Sequence, residues 1–278
     1  VTTAVSRSRV DAVRLTPRSW VLLAAAFVLG IVAFGWPLLG QASGSVNLAH
    51  SSDAPWIFIV LVPLLLGVIM AELSEGALDA KSVALLGVLA ACGAALRLPS
   101  GGVAGFEPVF FLLVPAGRVF GRGFGFVLGA LTLFVSALLT GGVGPWLPFQ
   151  MFAAAWIGFF AGCLPPMRGR SEVVLLAAYG TVSALAYGLA MNLWFWPFVA
   201  NGESSISYDP AASTLQNLRH FWGFHLTTSL GFDLPRAAFM AAFLLIAGRP
   251  LLGAFRRVAR RAAFLAPVSF EEIESSSS

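Results

Sequence analysis

The chain has 278 residues, of which 58% are hydrophobic and only 11% charged, and its mean hydropathy is +0.85; a soluble domain cannot enclose that much apolar surface, so the composition specifies an integral membrane protein. A net charge of +4 would point a soluble protein toward nucleic acid, but here the basic residues flank apolar spans and report membrane orientation. Cys92 and Cys163 both lie in apolar runs, which argues against a structural disulfide, and with no CxxC, HExxH, GxxxxGK[ST] or GxSxG motif the chain shows no machinery for ATP hydrolysis, zinc chemistry or serine hydrolysis.

A helix needs about 20 apolar residues to cross the hydrocarbon core. In chain order, spans are predicted near 19–40, 55–73, 81–98, 106–120, 123–141, 146–165, 172–198 and 227–252. The first follows an arginine-rich lead that resembles a signal peptide. Its apolar core is long for one, and Gln41-Ala42-Ser43-Gly44 fits a cleavage site only loosely, so it is read as a helix. In the third, Gly87, Ala91 and Ala95 share one stripe at intervals of four, a spacing that lets another helix approach closely, from within the chain or from a partner subunit.

The fourth span is short, holds Glu107, Pro108 and Pro115, and reads as either re-entrant or crossing. Arginine placement decides for crossing. With all eight segments crossing, only Arg97, Arg219 and Arg236 fall on one side, and every other basic residue falls on the opposite side, which becomes cytoplasmic together with both termini. The chain then divides into a tail at 1–18, two helices within 19–78, a six-helix core at 79–257 and a tail at 258–278.

Three connections on the outer side carry glycines, aromatics and the rare polar groups, and such a cluster marks a binding surface. The first joins Arg97 to Glu107. Either charge acts as an interfacial group, as a ligand contact, or as one half of a mutual salt bridge. The second, Gly141 to Gln150, combines permissive glycines with Pro145 and Pro148, which stiffen the turn. Trp146 then offers a broad face with one donor, and Gln150 an amide one turn on, which suits a flat, amide-bearing ligand as well as an interface anchor.

The third connection, about 200–228, is long and polar and contains His220, Trp222 and His225; the two histidines, five apart, lack the supporting ligands of a zinc site. Asn192 and Trp196 stand at the outer end of the seventh span, where a polar residue in an apolar run needs a partner. Asp233, with Pro235 and Arg236, reads as a helix start or an intrachain pair.

The run LLVPAGRVFGRGFGFVLGA (Leu112 to Ala130) and the run GPWLPFQM (Gly144 to Met151), in a six-helix core whose first helix carries small residues every fourth position, resemble the substrate-binding S component of energy-coupling factor (ECF) transporters over about 79–257. The resemblance implies capture of a vitamin-like micronutrient at the outer face of a bacterial plasma membrane, with cobalamin or its precursors the closest ligand class. It implies no cofactor and no ATPase activity of the chain's own. It implies instead a membrane coupling subunit, expected to touch the stripe of Gly87, Ala91 and Ala95, and two cytoplasmic ATPase subunits. The ligand-contact set expected is Arg97, Glu107, Trp146, Gln150, Asn192, Trp196, His220, Trp222 and His225. The helices at 19–40 and 55–73 have no counterpart in that pattern. Two other classes compete: an intramembrane enzyme acting on a lipid-like substrate through Glu107, His220, His225 or Asp233, and a self-powered secondary transporter, against which stand the scarcity of midplane charge and the lack of a clear repeat.

Overall fold

The computed structural model describes residues 12–39, 63, 66, 67, 71, 79–98, 105–200 and 204–262. Among them the chain is all-helical: α1 (Pro17–Leu39), α2 (Ala80–Arg97), α3 (Val109–Phe120), α4 (Arg122–Thr140), α5 (Leu147–Cys163), α6 (Gly169–Val199), α7 (Thr214–Thr228) and α8 (Leu230–Ala262). Five of these, α1, α2, α4, α6 and α8, are long and apolar enough to cross a membrane, and the protein is an all-α membrane protein. The span expected at 55–73 lies outside the described residues except for the helical positions Pro63, Leu66, Gly67 and Ala71.

Local chemistry sets the boundaries. The Asp79 carboxylate accepts from the Ser82 amide at 2.7 Å and so caps α2. Gly121, at φ 96°, is the single residue between α3 and α4, and Gly141, at φ 66°, ends α4 in the left-handed region where a side chain is strained. Pro148 sits in the first turn of α5, where its missing N–H costs nothing. Two expected limits are corrected. The connection at 200–228 is mostly helix, because Ser213 caps α7 by accepting from the Gln216 amide. The last span begins at Leu230 rather than 227 and continues to Ala262, so the first residues assigned to the C-terminal tail are helical.

Three glycines of the Leu112–Ala130 run, Gly117, Gly125 and Gly129, form a packing seam. A Cβ on Gly117 or Gly125 would lie 2.1 or 2.2 Å from the Gly158 carbonyl oxygen, and one on Gly129 would lie 2.2 Å from that of Ala154. Helices α3, α4 and α5 therefore touch backbone to backbone, the close packing that apolar solvent rewards. The Gly87, Ala91 and Ala95 stripe lies on the opposite, exposed face of α2, whereas Gly93 of the same helix meets Thr132 of α4. Helix α1 leans on α5 through Phe27 against Trp156, with ring centroids 5.2 Å apart, and through Gly30 beneath Phe152.

One end of the bundle gathers arginines. The Ala12 amide donates to Phe120 O, the Ser82 hydroxyl to Ala12 O and the Lys81 ammonium to Ala262 O, so the starts of α1 and α2 meet the ends of α3 and α8 there. Helix α3 runs from Glu107 at the far end to Arg118 at this basic end and does not turn back, and the chain alternates direction from α2 through α6 as the arginine pattern requires.

Candidate functional site

At the basic end, Glu172 is 1% exposed and holds two guanidinium groups. Arg118 Nε donates to it at 2.9 Å, and Arg256 Nη2 reaches its two oxygens at 2.7 and 2.8 Å. Arg118 Nη1 also donates to Leu164 O at 2.8 Å. A carboxylate this enclosed is tolerable only with all its lone pairs occupied, and here one clasp ties α3, α6 and α8 to the end of α5.

Twenty residues along α6 from Glu172, about 30 Å at 1.5 Å per residue, stands Asn192, and around it the far end carries a second polar network. Gln150 Oε1 accepts from Arg97 Nη2 at 3.4 Å. Arg236 donates from Nε to Glu107 Oε2 at 2.8 Å and from Nη1 to Asp233 Oδ1 at 2.5 Å. Its guanidinium lies over the Tyr187 ring, 5.4 Å from the centroid, and Tyr187 packs on Phe110 at 4.8 Å. Asp233 Oδ2 is buried without a hydrogen-bond partner and faces His225 Nε2 at 3.8 Å, beyond bonding range. Asn192 Nδ2 points to His225 Nδ1 at 2.9 Å and also to the Ser229 hydroxyl. With the amide nitrogen against Nδ1, a neutral His225 carries its proton on Nε2, toward Asp233.

Gly188 makes room for this network: a Cβ there would lie 2.0 Å from Asp233 Oδ1. The network draws on α2, the residue pair ahead of α3, α5, α6, α7 and α8. Five of the nine expected ligand residues are in it: Arg97, Glu107, Gln150, Asn192 and His225. Of the alternatives open for Arg97 and Glu107, the structure does not form the mutual salt bridge: Glu107 pairs with Arg236 and Arg97 donates to Gln150. Asp233 and Arg236 form an intrachain pair, one of the two readings open for them.

The other expected residues go elsewhere. Trp196 is fully enclosed, its Nε1 donating to Ile206 O at 2.8 Å and its ring meeting those of Tyr208 and Phe221; it packs the connection against α6 and presents no free face. His220 Nδ1 lies 2.9 Å from Ser207 O in the same connection. Asn217 adds to this pinning, donating to Asp209 O at 2.7 Å and accepting from the Asp209 amide at 3.1 Å. Trp146 bends back over Gly144, its Nε1 donating to Gly142 O at 3.2 Å, with 40% of the residue exposed. Trp222 is exposed on the outer side of α7.

Beside the Gly141–Gln150 turn lies an apolar cleft of ≈ 350 Å³, lined by Leu66, Leu131, Phe134, Leu147, Pro148 and Met151 among others. It contains none of the charged groups of the network. Among the described residues no three His, Cys, Asp or Glu side chains are placed to hold a metal ion. Tyr187, Gly188 and Ser229 escape the sequence reading; the signal for Gly188 is its position one helical turn before Asn192 on the same face. Comparison of the chain with protein-family models, with curated proteins and with solved structures returns no match.

Proposed function

We propose that this chain is the substrate-binding membrane subunit of an ECF-type importer, which captures a vitamin-like micronutrient at the outer face and hands it to ATP-driven partner subunits. The observation that carries the reading is the half-enclosed polar network of Arg97, Gln150, Glu107, Arg236, Asp233, His225 and Asn192 at the end away from the arginines. Under the positive-inside rule that end faces outward. A site of mixed donors and acceptors bordered by aromatic rings suits a small, polar, partly planar ligand. The Glu172 clasp closes the opposite end, about one hydrocarbon thickness away, and a chain without an ATPase motif fits an energy source carried by other subunits. The S-component resemblance of the 112–130 and 144–151 runs supplies the ligand class, with cobalamin the first to test.

Native mass spectrometry of the gently purified chain, paired with identification of co-purifying proteins, tests this. A retained vitamin mass together with a membrane coupling subunit and ATPases is the expected result. A retained lipid-like substrate or product, turned over by the chain alone, would replace the reading by an intramembrane enzyme. One observation favours a self-powered transporter as the second reading: Asp233 is buried with one oxygen unpaired, as in ion-coupled carriers. Uptake that persists without ATPase partners and collapses when the ion gradient is dissipated would establish it.

A further inference from the structure

Helix α7 ends where α8 begins, and the residue between them stays helical: Ser229 has φ −108° and ψ −23°. Its amide donates to His225 O at 3.0 Å, and the Asp233 amide donates to Ser229 O at 2.8 Å. One helical surface therefore carries over from α8 into α7. Along it Leu234, Leu230, Leu226 and Trp222 recur every fourth residue and all are exposed. Arg219, three residues further, is exposed as well. The other face of α7 is occupied: Asn217, Phe221 and His225 are buried against Asp209, Trp196 and Asn192.

Leu230 and Leu234 belong to a helix apolar and long enough to cross a membrane, and their side chains are exposed as on a lipid-facing surface. The ridge continues without a break past that level. Helix α7 runs antiparallel along the end of α6, since Phe221 meets Trp196 and, one turn later on α7 and one turn earlier on α6, His225 meets Asn192. The ridge thus rises along the bundle axis. At 1.5 Å per residue, Trp222 stands about 6 Å and Arg219 about 10 Å above Leu226. The headgroup layer outside the hydrocarbon is about 5–7 Å thick on each side, and an arginine side chain bends toward it. Aliphatic, indole and guanidinium groups follow one another in the order acyl edge, interface and phosphate.

We propose that the α7 ridge is a phospholipid-binding edge: Arg219 holds the phosphate of an outer-leaflet lipid, Trp222 lies at the glycerol level, and Leu226 meets the acyl chain. Trp222 is then a membrane contact rather than a wall of the ligand site. The lipid and the polar network grip opposite faces of one helix. The inference stands apart from the transport reading, because it uses no residue of the polar network as a ligand contact.

The test uses the full chain with Cys92 and Cys163, both exposed, replaced by serine. Single nitroxide labels are placed through Leu234→Cys, Leu226→Cys and Leu215→Cys, and the protein is reconstituted in phosphatidylglycerol–phosphatidylethanolamine vesicles. Collision with oxygen, which concentrates in lipid, should dominate at 234 and 226, and collision with a water-soluble nickel chelate at 215. Nickel dominance at 226 would overturn the proposal in favour of a solvated surface. Exclusion of both reagents at 226 would overturn it in favour of a second copy or a partner subunit. Arg219→Gln should lower phosphatidylglycerol retention in native mass spectra several-fold, with folding checked by thermal unfolding. Retention unchanged from wild type would refute the phosphate role.

Discussion

Gly188→Ala adds one methyl group and tests the far-end network at its tightest point. The new Cβ would sit 2.0 Å from Asp233 Oδ1, 2.4 Å from Cγ and 2.5 Å from Oδ2. Ordinary contact needs about 3.5 Å between such atoms, so the carboxylate must retreat by about 1.5 Å or the helices must part. A retreat stretches the 2.5 Å bond from Arg236 beyond hydrogen-bond range. Overpacking costs about 1–3 kcal/mol, and loss of a charge-assisted hydrogen bond about 1.5–3 kcal/mol. The higher helix propensity of alanine returns about 1 kcal/mol, which leaves a net destabilisation of about 1.5–5 kcal/mol. Gly87→Ala is the control, because a Cβ there meets nothing within 4 Å and only the propensity gain remains. Reversible unfolding in mixed detergent–SDS micelles measures both. Asp233→Ala made first should remove most of the Gly188→Ala penalty, since the clashing group is gone. Equal tolerance of alanine at 188 and 87, or an undiminished penalty at 188 in the Asp233→Ala background, would refute the assignment of Gly188 as the seat of the Asp233 carboxylate.

Glu172→Gln leaves the buried Arg118 guanidinium without its counter-charge and should cost about 3–5 kcal/mol in the same unfolding measurement, with Arg256→Gln milder because Arg256 is the more exposed partner. Trp196→Phe keeps the ring but removes the donor to Ile206 O, a loss of about 1 kcal/mol; limited proteolysis within 204–213 should accelerate while the helices resist. Trp146→Ala, at an exposed indole bound only to its own turn, should leave unfolding unchanged. If the Gly-Pro-Trp turn walls the ligand site, the same variant weakens retention of the co-purified vitamin in native mass spectra, and unchanged retention would reduce Trp146 to an interface anchor.

The helices were legible because long apolar runs can satisfy their backbone in lipid in only one way, and the direction of each followed from arginine placement. The short α3 shows the strength of that argument: with 12 residues it fails a length criterion, yet Arg118 and Arg122 placed its end correctly. Helix α7 was not legible as a helix. Its buried positions, Asn217, Phe221 and His225, are at helical spacing, but two of the three are polar, so the apolar periodicity on which such readings rest is absent. The network was half legible. Asn192 declared itself as a polar group in a costly place, Glu107 as a charge at the end of a span, and Asp233 with Arg236 as a helix start or an intrachain pair. The partner of Glu107 lies 129 residues away, and no local pattern encodes that. Gly188 stayed hidden because a glycine that accommodates a carboxylate reads the same as one that accommodates a helix.

The two polar networks differ in a way that bears on direction. At the basic end both oxygens of Glu172 are engaged and Arg118 has a second acceptor, so nothing there is gained by binding or moving. At the far end Asp233 Oδ2 is buried without a hydrogen-bond partner, and His225 Nε2 stands 3.8 Å from it. A buried acceptor without a donor is a standing free-energy cost of about 1–3 kcal/mol that calls for an explanation. Three relaxations remove the cost: His225 closes the gap, a ligand donates an N–H or O–H, or a cation enters. Each acts on His225 or Asp233, and hence on the junction of α7 with α8. The incompletely satisfied end is therefore the end at which binding can change the structure, through His225 on α7 or Asp233 on α8.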